Sequence, residues 1–133
     1  MIRFTAFVLL AIAPATAAAN KVFNEGTGGT VDCAKDASTV INTNDGAYTF
    51  TGKCTAVTVN GNNNKLTFED VTALTVNGNN NAATTSGIDK LSVNGNDNNV
   101  TWAKALTGPK PKVSTLGNHN KVAQGGAAKT QTK

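Results

Sequence analysis

Arginine, histidine, tryptophan, tyrosine and methionine each occur once in this 133-residue chain, as Arg3, His119, Trp102, Tyr48 and Met1. These scarcities narrow the field. A nucleic-acid footprint needs clustered cations interleaved with stacking rings, whereas the lysines are spread from Lys21 to Lys133 and aromatic residues make up only 5% of the chain. No nucleic-acid partner is expected. A single histidine and two cysteines, Cys33 and Cys54, give little material for a metal centre. The longest apolar run, Phe4 to Ala13, falls well short of the roughly 20 residues needed to cross a bilayer, so no membrane span is expected in the mature chain.

That short run has the layout of a secretory signal. Arg3 supplies the positive start, Phe4 to Ala13 the apolar stretch, and Pro14 to Ala19 a small-residue exit with cleavage after Ala19 or after Ala17. Residues 1–19 are therefore read as a signal peptide, and the mature protein as secreted or periplasmic in a bacterial envelope. In such a compartment a disulfide persists. Pairing Cys33 with Cys54 closes a short loop and stabilises by about 3 kcal/mol in the chain-entropy model. The two cysteines do not share a repeat column, so the bridge requires an irregular start to the repeats.

What the chain has in abundance is repetition. Val59-Asn60-Gly61, Val76-Asn77-Gly78 and Val93-Asn94-Gly95 recur at a spacing of seventeen, and a decayed fourth copy follows at Gly117-Asn118-His119-Asn120. A fixed spacing implies equivalent stacked coils. Aligning the copies produces columns that alternate between apolar and polar, as in strands with one buried face. Val57, Leu74, Leu91 and Val113 share one inward column, and Val59, Val76, Val93 and Thr115 the next. Leu66, Ala83, Val100 and Val122 fill a third, and Phe68, Thr85, Trp102 and Gln124 a fourth whose mixed sizes predict uneven packing. Between them, Thr58, Thr75, Ser92 and Ser114 on one side and Thr67, Thr84, Thr101 and Ala123 on the other are expected to face water.

The expected fold is all-β: a parallel β-solenoid, or β-helix, of about five rungs with a seventeen-residue repeat over 39–124. Residues 20–38 are assigned to an N-terminal cap region and 125–133 to a disordered tail. The stretch Thr107-Gly108-Pro109-Lys110-Pro111-Lys112 is an insertion relative to the repeat and, with two prolines, reads as a protruding loop. Asn-Gly is also a strong hairpin signal. An antiparallel hairpin array, however, has no need of constant spacing or same-residue columns, and parallel stacking accounts for both. Coils about 4.8 Å apart place like over like, which suits asparagine because its amide donates and accepts along the stack. Asn60, Gly61, Asn77, Gly78, Asn94, Gly95 and Gly117 are accordingly read as a structural turn ladder.

The run Leu91-Ser-Val-Asn-Gly-Asn-Asp-Asn-Asn-Val-Thr-Trp102 and its counterparts resemble the small exported bacterial proteins grouped as domain-of-unknown-function family 3060, over roughly Thr39 to Val122. The resemblance implies an exported, repeat-built β domain with no established activity. It carries no catalytic residues across.

Nor do the residues themselves converge on catalysis. Asp70, Asp89 and Asp97 stand in three different columns, and the adjacent Glu69 and Asp70 point to opposite faces if extended. General acid–base chemistry needs two groups meeting on one substrate. His119 occupies the turn column of Asn63, Asn80 and Asp97 and reads as a solvated side chain, while Gly95 to Asn99 lacks the stacked carboxylates of a calcium-binding turn. No enzyme activity, cofactor or metal is expected. The reading is a non-catalytic structural or surface-interaction protein, with Thr58, Thr75, Ser92 and Ser114 as the candidate binding face and a glycan or envelope surface as its partner. A carbohydrate-binding module of the cell envelope is the alternative. A minimal polysaccharide-active enzyme or an ice-binding protein comes third.

Overall fold

The computed structural model describes residues 20–125. The expected signal peptide, and all but the first residue of the expected tail, lie outside the described residues. Within them the chain forms nine strands: β1 (Asn20–Phe23), β2 (Gly28–Asp32), β3 (Ser38–Ile41), β4 (Ala47–Asn60), β5 (Lys65–Asn77), β6 (Ala82–Asn94), β7 (Asn99–Ala105), β8 (Lys112–Leu116) and β9 (Lys121–Gln124). Every strand pairing is parallel. The strands wind into a β-solenoid of about six turns, in the expected register: Val59 lies on Val76, Val76 on Val93, and Leu74 on Leu91.

The extra turn comes from the segment assigned to a cap. β1 pairs with β3 at Asn20↔Ser38 and β2 with β4 at Gly28↔Ala47, so residues 20–32 are themselves a coil. Their offsets differ from seventeen, and the Val-Asn-Gly signature has decayed there to Phe23-Asn24-Glu25-Gly26. The proline-containing insertion bends out between β7 and β8, after which Lys112 returns onto Lys90.

A single coil shows why alternation alone does not describe the repeat. Along β5, Leu66 and Phe68 are buried at period two, but the next buried residues are Val71 and Leu74, each three positions on, before Val76 restores the alternation. Each three-residue step turns the chain through a corner, and β5–β6 pairing lapses at those corners, at Glu69 and Thr72. A third corner is made by the four polar residues Gly78 to Asn81. Three bends close the chain around an aliphatic interior in which Val59, Val71, Val76, Val93 and Val100 are fully enclosed. Burying one such valine contributes about 1.5–3 kcal/mol.

The mixed fourth column packs by two devices. Phe50 and Phe68 stack with ring centroids 4.4 Å apart, and the smaller Thr85, also buried, donates its hydroxyl hydrogen to the Gly87 carbonyl at 2.9 Å. At the N-terminal end the rings of Phe23 and Tyr48 lie 5.1 Å apart, and the Tyr48 hydroxyl is satisfied by Thr43 Oγ1 at 2.6 Å. Cys33 and Cys54 form a disulfide with Cα atoms 4.9 Å apart. A register shift between Phe50 and Lys53, where Gly52 takes φ +76°, brings the two cysteines together from different columns. No helix among the described residues is long and apolar enough to cross a membrane.

Candidate functional site

The asparagine-rich corner determines how flat the neighbouring faces are. Gly61, Gly78, Gly95 and Gly117 sit so close to the coil below that a Cβ on Gly78 would lie 1.9 Å from the Gly61 carbonyl oxygen, and one on Gly95 1.8 Å from that of Gly78. Only glycine permits this contact. Two positions further on, Asp45, Asn63, Asn80, Asp97 and His119 all adopt φ between +55° and +58°. Asn and Asp tolerate that left-handed conformation better than most residues, which explains the composition of the column. His119 holds the last such position, with Nδ1 3.6 Å from Asp97 Oδ1, and both side chains are largely exposed.

Three amide ladders run through the corner. On the outside, Nδ2 of Asn42, Asn60, Asn77 and Asn94 each donates to the Oδ1 of the residue below, starting from Asn24, at 2.8–2.9 Å. The ladder stops at Leu116, which lies in register with Asn94. In a second column, Oδ1 of Asn44, Asn62, Asn79 and Asn96 accepts from the backbone N–H of the residue above at 2.8–2.9 Å. The third ladder is interior and was not singled out from sequence. Asn64, Asn81 and Asn98 are almost completely buried. Asn81 Oδ1 accepts from the Asn64 N–H at 2.9 Å while its Nδ2 donates to the Gly61 carbonyl at 2.9 Å and to Asn98 Oδ1 at 3.1 Å. A buried corner carries polar backbone that must be paired, and an amide can serve a donor and an acceptor at once.

With the corner fixed, the strands leaving it carry the expected binding face. Thr58, Thr75, Ser92 and Ser114 fall in one outward column, extended toward the N-terminus by Val40 and Val22. The first three are half-buried and Ser114 exposed. The outer amide ladder flanks the column on one side, and Ala56, Ala73, Lys90 and Lys112 flank it on the other. Over the last three rungs this surface dips into a shallow depression of about 360 Å³ lined by Ala73, Thr75, Lys90, Ser92, Lys112 and Ser114 together with Leu74, Leu91 and Val113 of the adjoining inward column. None of its lining residues is a carboxylate.

The second outward column is longer than the sequence alignment suggested. Thr30, Thr49, Thr67, Thr84 and Thr101 stack in register before Ala123 ends the series. No carboxylate is a member of either column, although Glu69 and Asp32 follow Thr67 and Thr30 on the same outward face. Glu69 accepts from the Gly52 N–H, Asp89 accepts from the Thr107 N–H at 2.6 Å, and Asp70 lies in register with Gly87, its Oδ1 in the space a side chain there would need. Among the described residues no three His, Cys, Asp or Glu side chains gather into a metal-holding group.

The model of the family described as "Protein of unknown function (DUF3060)" matches residues 41–87 and 70–119. The chain belongs to this family. The two matched segments of this domain-of-unknown-function family 3060 member overlap over 70–87 and together cover the rungs that hold the Val-Asn-Gly corners. No curated protein and no solved structure matches the chain.

Proposed function

We propose that the protein is an exported, non-catalytic surface-interaction module of the bacterial envelope, and that the face formed by Thr58, Thr75, Ser92 and Ser114 binds an extended carbohydrate. One observation carries this reading: the depression lies on that face, and it combines hydroxyls, two ammonium groups and apolar carbon without a carboxylate. Rungs about 4.8 Å apart present such groups at a regular interval along the stack, which suits a polymer with its own repeat. The Thr and Ser hydroxyls donate and accept, Lys90 and Lys112 attract acidic substituents, and Ala73 and the threonine methyls offer apolar contact to sugar rings. Export is supported by the Arg3-to-Ala19 sequence pattern and by the Cys33–Cys54 pair, which requires an oxidising compartment.

The test is co-sedimentation of the mature protein with purified cell-wall polysaccharide and peptidoglycan. Retention should fall at least about tenfold in Ser92→Trp, which fills the depression, and should be unchanged in Thr84→Ser on the other face. Failure to sediment with any wall fraction, or equal retention of both variants, removes the carbohydrate reading. Release of reducing ends from the same polymers would overturn the non-catalytic one. Export is checked by N-terminal mass spectrometry of the protein recovered outside the cytoplasm, with Ala18 or Asn20 expected as the first residue.

A further inference from the structure

The two ends of the stack are built differently. At the N-terminal end Lys21 falls in an inward column, over Thr39. Its Nζ lies 5.2 Å from the centroid of the Phe23 ring and 3.9 Å from Asp36 Oδ2. A charge in a column that is otherwise uncharged discourages another strand from pairing there. At the C-terminal end no charged side chain stands in an inward column among the described residues. β8 pairs only with β6 and β9 only with β7, so one edge of each strand is unpaired among the described residues. Val113 and Leu116 are 41% and 71% exposed there, and Leu116 stands where an asparagine would have continued the outer ladder.

Charge distinguishes the ends as well. Residues 103–125 contain Lys104, Lys110, Lys112 and Lys121 and no acidic residue, whereas residues 20–37 carry Glu25, Asp32 and Asp36 against Lys21 and Lys35. Lys112 lies directly over Lys90, and like charges in register on neighbouring strands repel unless a counter-charge joins them. The chain's own continuation past Gly125 adds Lys129 and Lys133, the wrong sign for this end.

We propose that the C-terminal end of the solenoid is a docking edge for an extended, acidic polypeptide segment of a partner protein, which adds to β8 as a further strand. Strand addition supplies main-chain hydrogen bonds, and side-chain pockets set the choice of segment. Here an apolar residue covers Val113 and an acidic residue lies over Lys112, with Leu116 taking a second apolar contact. The edge shares Lys112 and Val113 with the depression on the carbohydrate face, but strand addition runs along the unpaired edge of β8 and does not depend on carbohydrate binding.

The experiment uses the full mature chain and two labelled synthetic peptides. One has the sequence of residues 88–102 with the substitutions Lys90→Glu and Asn94→Leu, which in the natural register place a carboxylate over Lys112, Leu91 over Val113 and an apolar side chain over Leu116; the other carries Asn94→Leu alone and keeps lysine at position 90. Fluorescence anisotropy at low salt should show the glutamate peptide binding at least about tenfold more tightly, with the preference reversed in Lys112→Glu protein. Circular dichroism checks that this exposed substitution leaves the fold intact. Equal affinity for the two peptides, no binding of the glutamate peptide at millimolar concentration, or a preference unaffected by Lys112→Glu overturns the proposal. So does self-association of the protein that is abolished by Leu116→Lys, since the end would then belong to a second copy.

Discussion

Replacing the buried Asn81 by aspartate changes one nitrogen to oxygen, and the structure says what that exchange costs. Asn81 Nδ2 donates to the Gly61 carbonyl and to Asn98 Oδ1, and Oδ1 accepts from Asn64. A protonated aspartic acid keeps one donor and one acceptor, so at low pH the loss is about one hydrogen bond, roughly 1 kcal/mol. An ionised aspartate cannot donate at all and faces two oxygen atoms in an enclosed corner. Desolvation and those oxygens raise its folded-state pKa above the unfolded value of about 3.9. Below that value both states hold the proton and no charge penalty applies. As pH rises above it the unfolded chain ionises first, and the folded state loses about 1.4 kcal/mol per pH unit until its own pKa is reached. Between pH 4 and pH 7 the additional loss is at most about 4 kcal/mol, a large part of the 5–15 kcal/mol typical of a domain. The assay is urea unfolding followed by fluorescence of Trp102, the only tryptophan, which is buried on the rung that contains Asn98. Asn81→Asp that is as stable at pH 7 as at pH 4, relative to the parent protein, refutes the account of the inner ladder.

Gly78→Ala should destabilise by at least about 3 kcal/mol or prevent folding, because its Cβ meets the Gly61 carbonyl, while Gly26→Ala, with φ +100° but open space around it, should cost only about 1 kcal/mol; urea midpoints compare them. Val93→Asp should unfold the middle of the stack because it places a lone charge at a fully buried site. Thr75→Ser should stay within about 0.5 kcal/mol, and equal damage from the two in thermal unfolding would contradict the inward and outward assignment. The double variant Cys33→Ser/Cys54→Ser should lose about 3 kcal/mol, as expected for a bridge closing a short loop, and the parent protein should weaken by the same amount when reduced.

The columns were legible because the interior valines and leucines repeat at a constant interval, and a parallel stack is the simplest structure that makes such a repeat physical. The first coil was not legible. Val22-Phe23-Asn24 lacks the glycine that marks the later corners, and its offset to β3 is eighteen. The inner ladder was hidden for a different reason: in Gly78-Asn79-Asn80-Asn81 the three asparagines look alike, and only the left-handed turn at Asn80 points Asn79 outward and Asn81 into the interior. The disulfide required one local irregularity, at Gly52, that no column predicts. The candidate face was visible as the Thr58, Thr75, Ser92 and Ser114 column, but its depression depends on the flanking column of Ala73, Lys90 and Lys112, whose mixed residue types give no repeated signal in the sequence.

The amide ladders also govern how such a gene can change length. Duplicating a whole rung inserts one more link into every ladder and leaves each corner glycine over its neighbour's carbonyl. A gain or loss of a few residues within a corner would misalign all the ladders at once. The Leu106 to Pro111 excursion is tolerated because it leaves between β7 and β8, where no asparagine column passes, and returns to register at Lys112. Heredity can thus stretch or shorten this molecule in whole turns, and ornament it freely only at bends that carry no amide.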